Sequence, residues 1–248
     1  MKQMVFAFVC FCILGLTSTI VSANEVEETP ILPNNLGTEN KLSDEILNVL
    51  TQEDFAKANE ILTKNNNIDN LAEEDLDKLI VPILINIANS KDNVIMRLNL
   101  LPDAYTKLNA AEKKLAKAHP NQAGIVYNCS GTATGLAGKL YVKGNNDNHN
   151  GNAFKRSFWN AAMTRDLGAT KAKTWADAHE SESKGVSTDM DLKNNKIGRD
   201  TYAALNTNII IKPSYNKIQK ELMKKIDQGK LYRVVKGKLV KTDKSGKK

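Results

Sequence analysis

The sequence predicts a mainly α-helical fold, a helical bundle with a C-terminal β-hairpin, preceded by a smaller acidic helical region. Three observations carry that expectation. Beyond residue 41, apolar residues recur three and four positions apart in most segments, the spacing of one helix face. Several of these segments open on Thr or Asn with Asp or Glu three residues later, a pairing that satisfies the free N–H groups of a helix start. Near the C-terminus the period changes to two: "LYRVVKGKLVKT" alternates about Lys236-Gly237 and reads as a hairpin.

Residues 1–23 read as a secretory signal. Lys2 gives the positive start, "MVFAFVCFCILGL" an apolar run of 13 residues, and "VSA" the small-x-small pattern for cleavage after Ala23. The run falls short of the roughly 20 residues a membrane-spanning helix needs. Cys10 follows Val9 and Cys12 follows Phe11, so neither is placed as a lipid-anchor cysteine. The expected product is exported, with no transmembrane segment after cleavage. Cys129 then remains alone, which excludes a disulfide framework. No His or acid stands beside it in "IVYNCSGTATGLAG", so it reads as a small packing residue.

Residues 24–40, with two prolines and no periodicity, are expected to be a linker. An acidic helical region follows over 41–108. Its first helix starts at Ser43, with Ile46, Leu47 and Leu50 on one side. Thr51 paired with Asp54 opens the next, whose inner face holds Phe55, Ala58, Ile61 and Leu62. A third begins at Asn70, and Pro82 is expected to kink or divide it.

The second unit spans 109–242. Asn109 and Glu112 make another capping pair, and the helix should stop before Pro120 with His119 exposed at its end. Over 120–142, Gly124, Gly131, Gly135 and Gly138 would each cost a helix roughly 1 kcal/mol relative to Ala. Gly124, Gly131 and Gly138 nevertheless repeat every seven residues, so a buried central helix with a close-approach stripe is expected, against the competing reading of a glycine-rich loop. Helices are expected at 153–167, closed by Gly168, at 169–183, and at 189–198. A last one opens at Pro213 and stops at Gly229. Residues 243–248 read as a disordered basic tail.

Charge divides the chain. Residues 24–80 hold 14 acidic and 4 basic side chains, whereas 81–248 hold 14 and 30, for net charges of −10 and +16. Either the acidic part folds over the basic part, as a restraining segment would, or each faces a different partner. The basic part would suit an anionic cell-wall polymer or lipid surface. Nucleic acid is the weakest candidate, because no recognised binding motif accompanies the charge. The sequence specifies no cofactor and no oligomeric state.

The candidate chemistry lies in three stretches. In "HNGNAFKRSFWNAAMT", residues 149–164, Phe154, Phe158, Ala161 and Ala162 form an apolar stripe. Asn152, Arg156 and Asn160 lie opposite, flanked by Trp159 and Met163, as on a helix that lines a cleft or faces solvent. In "TWADAHE", His179 shares a face with Ala172, Trp175 and Ala176, which reads as a hydrogen-bonded core histidine or one tuned for acid/base work. Ser183 stands where a metalloprotease helix needs its second histidine, so zinc by that route is not expected. In "DMDLKNNKIGR", Asp191, Asn194 or Asn195, and Gly198 share a face. If the three helices converge, His149, Asn152, Arg156, Trp159, Asn160, Asn194 and Asn195 become ligand-binding candidates. His179 and Asp191 become catalytic ones, with Arg156 steadying an anionic group. Two readings remain open: a module that binds an anionic envelope ligand, and a hydrolase or toxin-like effector.

These residues carry a resemblance. The ordered stretches "HNG", "AFKRSFWNAAMT", "ADAHE" and "MDLKNNKIGR" look like a domain family of unknown function found in small secreted bacterial proteins. The likeness covers about residues 109–242 and implies a mostly helical, exported domain without naming an activity. Three positions depart from the family pattern. Arg156 stands where the family has a histidine, Lys155 where it has an arginine, and Asn152 where an acid is frequent.

Overall fold

We describe a computed structural model of the chain, covering residues 41–65, 68, 70–98, 108–143, 148–206 and 211–248. The expected signal segment, the linker and the 99–107 end of the acidic region lie outside the described residues. Among those residues the elements are α1 (Asp44–Val49), α2 (Gln52–Asn65), α3 (Glu73–Leu98), α4 (Ala110–Ala118), α5 (Pro120–Leu140), α6 (Asn150–Leu167), α7 (Ala169–Glu180), α8 (Val186–Leu205), α9 (Tyr215–Asp227), β1 (Tyr232–Val235) and β2 (Lys238–Lys241). The fold is a mainly α-helical bundle ending in a two-stranded antiparallel hairpin.

The capping signals act where they stand. Ser43 accepts the Ile46 N–H at the start of α1. Ahead of α2, Asp54 takes the Thr51 N–H at 2.7 Å and Thr51 Oγ1 takes the Asp54 N–H at 3.4 Å. At α4 both arms of the Asn109–Glu112 capping box are present. Pro82 does not divide α3, which continues to Leu98. Buried Ile80, Val81, Ile83 and Leu84 flank the proline, and their burial offsets its lost hydrogen bond.

α5 is a helix, and the loop reading falls. The seven-residue glycine stripe is not a seam along its length, however. A Cβ on Gly124 would lie 2.8 Å from Asn59 Cβ and 3.1 Å from the Phe55 carbonyl oxygen, so only glycine lets α2 approach there. A Cβ on Gly131, Gly135 or Gly138 would meet nothing within 4 Å. α8 is twice the expected length, because its polar 189–198 stretch continues into buried Thr201 and Tyr202.

α2 and α3 lie on α5, α5 lies on α6, and α6 also packs against α7, α8 and α9. One apolar cluster runs through all of these helices. Phe55 of α2 reaches Tyr127 of α5, which meets Trp175 of α7, with ring centres 6.0 Å apart in each pair. The acidic and basic stretches therefore share a core, and Lys117–Asp44 and Lys171–Glu73 ion pairs join them at the surface. Because α6 packs against α5, α7, α8 and α9, Asn152 and Asn160 of its polar stripe are buried and Arg156 is half-buried.

The hairpin turns on Lys236 (φ 50°) and Gly237 (φ 71°), two left-handed residues that match the twist of the strands. Beyond it, residues 243–248 are not a disordered tail. The Val142 N–H donates to the Gly246 carbonyl at 2.8 Å, the Lys248 N–H to Leu140 at 3.0 Å, and Tyr141 bridges Lys247. Composition pointed to solvated lysines; the backbone instead pairs with the residues that close α5. Asn150 anchors the segment, donating to the Asp243 carbonyl at 2.9 Å and the Ser245 carbonyl at 2.8 Å.

Asp243 gives this docking a pH dependence. Hydrogen bonds from Ser245 and Asn150 hold its carboxyl at about 2, below the ordinary 3.8. A carboxyl lowered on folding stabilises the fold above its unfolded value and loses that contribution as pH falls through its folded value. Protection factors of the 243–248 amides are therefore expected to fall between about pH 4 and pH 2. Asp243→Asn should remove that step.

Candidate functional site

The site is built on the contact between α6 and α8. A Cβ on Gly198 would lie 2.0 Å from the Ser157 carbonyl oxygen, so the two backbones touch at a point open only to glycine. That approach drives the polar stripe of α6 against the polar face of α8.

Arg156 lies at the centre of the first group. Its Nη1 is 3.0 Å from Glu180 Oε1 of α7 and its Nη2 is 2.7 Å from Asp191 Oδ2 of α8. The Arg156 side chain is 18% exposed and the two carboxylates 5% and 6%. Two acids against one guanidinium leave a net negative group, in which the cation is already engaged. Asn160 is held by Arg199, whose Nη1 donates to Oδ1 at 2.7 Å. Asn194 clasps the hairpin, taking the Tyr232 N–H at 3.0 Å and donating to its carbonyl at 2.8 Å. Asn152 of α6 is also buried.

Asn195 differs from these. It is 1% exposed, and neither of its amide atoms has a hydrogen-bond partner among the described residues. A buried polar group without a partner costs about 1–3 kcal/mol, and an apolar side chain of the same shape removes that cost. Asn195→Leu is expected to raise the unfolding free energy by about 1 kcal/mol, read by chemical denaturation.

The second group lies beside the first. His179 Nδ1 is 2.9 Å from Glu112 Oε1. Glu112 is buried, and the His179 side chain is 28% exposed. Trp159 packs edge-on against the imidazole with ring centres 5.1 Å apart, its own Nε1 donating to the Val126 carbonyl at 3.0 Å. Burial acts to raise the Glu112 carboxyl, but hydrogen bonds from His179 and the Asn109 N–H outweigh it and hold the group below its ordinary value. An ionised Glu112 requires the proton of a neutral imidazole to sit on Nδ1, which leaves Nε2 as its basic nitrogen. The Asn109 side chain also donates to the Ala178 and His179 carbonyls, fixing the end of α7 to the start of α4.

The expected pocket thus resolves into two adjacent groups. Arg156, Glu180 and Asp191 form one; His179, Glu112 and Trp159 form the other. His179 is bonded to Glu112 and Asp191 to Arg156, so the two candidate catalytic residues do not act on each other. His149 precedes α6 without capping it through its side chain, and among the described residues it contributes no bond to either group. The sequence did not single out Glu112 or Arg199 as site residues. Only the capping box marked Glu112, and it gave no sign that the same carboxylate would meet a histidine 67 positions away. Cys129 is buried, and burial together with the charge of Asp166 pushes its thiol up to about 12, which keeps it protonated and unreactive.

A family model described as a domain of unknown function (DUF6973) matches residues 113–230. The chain is similar to that family over this span. The match takes in α5–α9 and all three motif helices, and begins one residue after Glu112. No curated protein and no solved structure matches the chain.

Proposed function

We propose that this is a secreted protein that acts on an anionic polymer or lipid surface of a bacterial envelope, with His179 as its proton-transfer residue. One observation carries the reading: a partly exposed imidazole backed by a buried carboxylate at 2.9 Å. Glu112 holds the Nδ1 proton and orients the ring, so Nε2 can take a proton from a water as its oxygen adds to an ester or phosphodiester centre. The same nitrogen returns that proton to the departing oxygen. Such acid–base assistance contributes about 10²–10⁴-fold in rate. Arg156, engaged by Glu180 and Asp191, holds the three helices together in this reading and does not bind the substrate anion.

A non-catalytic binding role is favoured by a different feature. Lys220, Lys224, Lys244 and Lys247 line an open groove of about 500 Å³ between α9 and the C-terminal segment, with Asp227 beside Lys247. Long-range attraction through such a surface weakens as salt rises. Among the described residues no helix is long and apolar enough to cross a membrane.

The test incubates the protein and a His179→Ala variant with labelled cell walls and anionic liposomes, measuring release and retention. Release by the native protein that falls at least 100-fold in the variant supports proton transfer. Retention that declines with salt, without release in either protein, supports the binding role.

A further inference from the structure

A cluster of ligating side chains lies away from both groups, where the acidic helices meet the rest of the bundle. Glu73 and Asp77 stand one turn apart on α3, and His119 occupies the junction between α4 and α5. One ligand atom from each can be chosen so that all lie within 4.8 Å of one another. His119 Nδ1 is 3.3 Å from Glu73 Oε1. All three residues are half-buried, so the cluster is open to solvent on one side while the helices fix its spacing.

We propose that Glu73, Asp77 and His119 form a binding site for a divalent transition-metal cation, zinc or manganese, that ties α3 to the start of α5. The ligand chemistry selects that class. One imidazole with two carboxylates is a nitrogen–oxygen set suited to these borderline ions, and three protein ligands with a solvent-facing side leave a coordination position for water. The packing holds the ligands in place: Asp77 accepts the Asn121 N–H at 2.8 Å, which ties that carboxylate to the start of α5. Lys171 Nζ pairs with Glu73 from a side chain that is 45% exposed. Gln122 Nε2 also donates to Glu73, and its Oε1 accepts the Trp175 N–H at 3.0 Å, which holds that amide in place. A metal at this point takes the place of the Lys171 ammonium and joins the acidic region to the basic one by coordination.

The measurement is a calorimetric titration of the mature chain with zinc chloride and manganese chloride after chelator treatment, with cobalt(II) absorption reporting nitrogen–oxygen coordination. One site per chain is expected. Affinity should fall at least tenfold in His119→Ala, Glu73→Gln and Asp77→Asn, rise in Lys171→Met, and stay unchanged in His179→Ala. The absence of saturable binding in both the native chain and Lys171→Met overturns the proposal. Binding that survives His119→Ala but is lost in His179→Ala also overturns it, because it places the metal on the other histidine. Circular dichroism of each variant confirms that it is folded.

Discussion

Arg156→Ala is expected to destabilise the protein by about 3–5 kcal/mol, the usual cost of removing one partner from a buried ion pair. The reason lies in what stays behind. Glu180 and Asp191 are 5% and 6% exposed and would lose the guanidinium that joins them. Much of the loss is the cost of keeping those carboxylates buried without that cation, so it should be recoverable. Combining Arg156→Met with Glu180→Gln and Asp191→Asn removes all three charges and should restore most of the stability, since apolar or neutral replacements of a buried ionic group are often tolerated. Chemical denaturation of the single and triple variants separates this from lost packing. A triple variant no more stable than Arg156→Ala would show that the network matters for its shape and not its charge.

The second large effect is expected at Gly198. An added Cβ there would lie 2.0 Å from the Ser157 carbonyl oxygen and 2.8 Å from the carbonyl carbon, and backbone cannot rotate aside as a side chain can. Gly198→Ala must force α8 away from α6, at a cost of about 3 kcal/mol or more. It would also loosen the Arg156–Asp191 contact and the Asn194 clasp on the hairpin, so folding and site geometry should fail together. Gly135→Ala provides the contrast, because a Cβ there meets nothing within 4 Å. That substitution should stabilise α5 by about 0.5–1 kcal/mol through helix propensity alone. Thermal unfolding of the two variants should shift in opposite directions.

These two positions show what the sequence made legible. Local signals translated well: the caps at Ser43, Thr51 and Asn109, the stop at Gly168 and the turn at Lys236-Gly237 all depend on residues within a few positions of one another. Convergence of the motif helices entered only as a condition; in the structure Arg156 meets Glu180 and Asp191. What a helical wheel cannot supply is the identity of the neighbour. It placed Asn152, Arg156 and Asn160 on one stripe, but it did not show that α7 and α8 would cover that stripe and turn it into an interior. The glycine repeat misled for the same reason, since only Gly124 of the three has a helix against it, and the decisive glycine is Gly198. Glu112 escaped notice because a carboxylate in a capping box already has a local explanation, and its meeting with His179 depends on α4 packing beside the end of α7.

The central claim is that His179 acts with Glu112, and that the Arg156 group supports the fold without joining the reaction. A double-mutant cycle on release from labelled cell walls tests this most directly. Glu112→Gln and His179→Ala should each lower the release rate, and the double variant should be no slower than His179→Ala alone. Asp191→Asn, compared at a temperature where all variants are folded, should leave the rate within a few-fold of native. Additive losses from Glu112→Gln and His179→Ala, or a loss in Asp191→Asn as deep as in His179→Ala, would contradict the account.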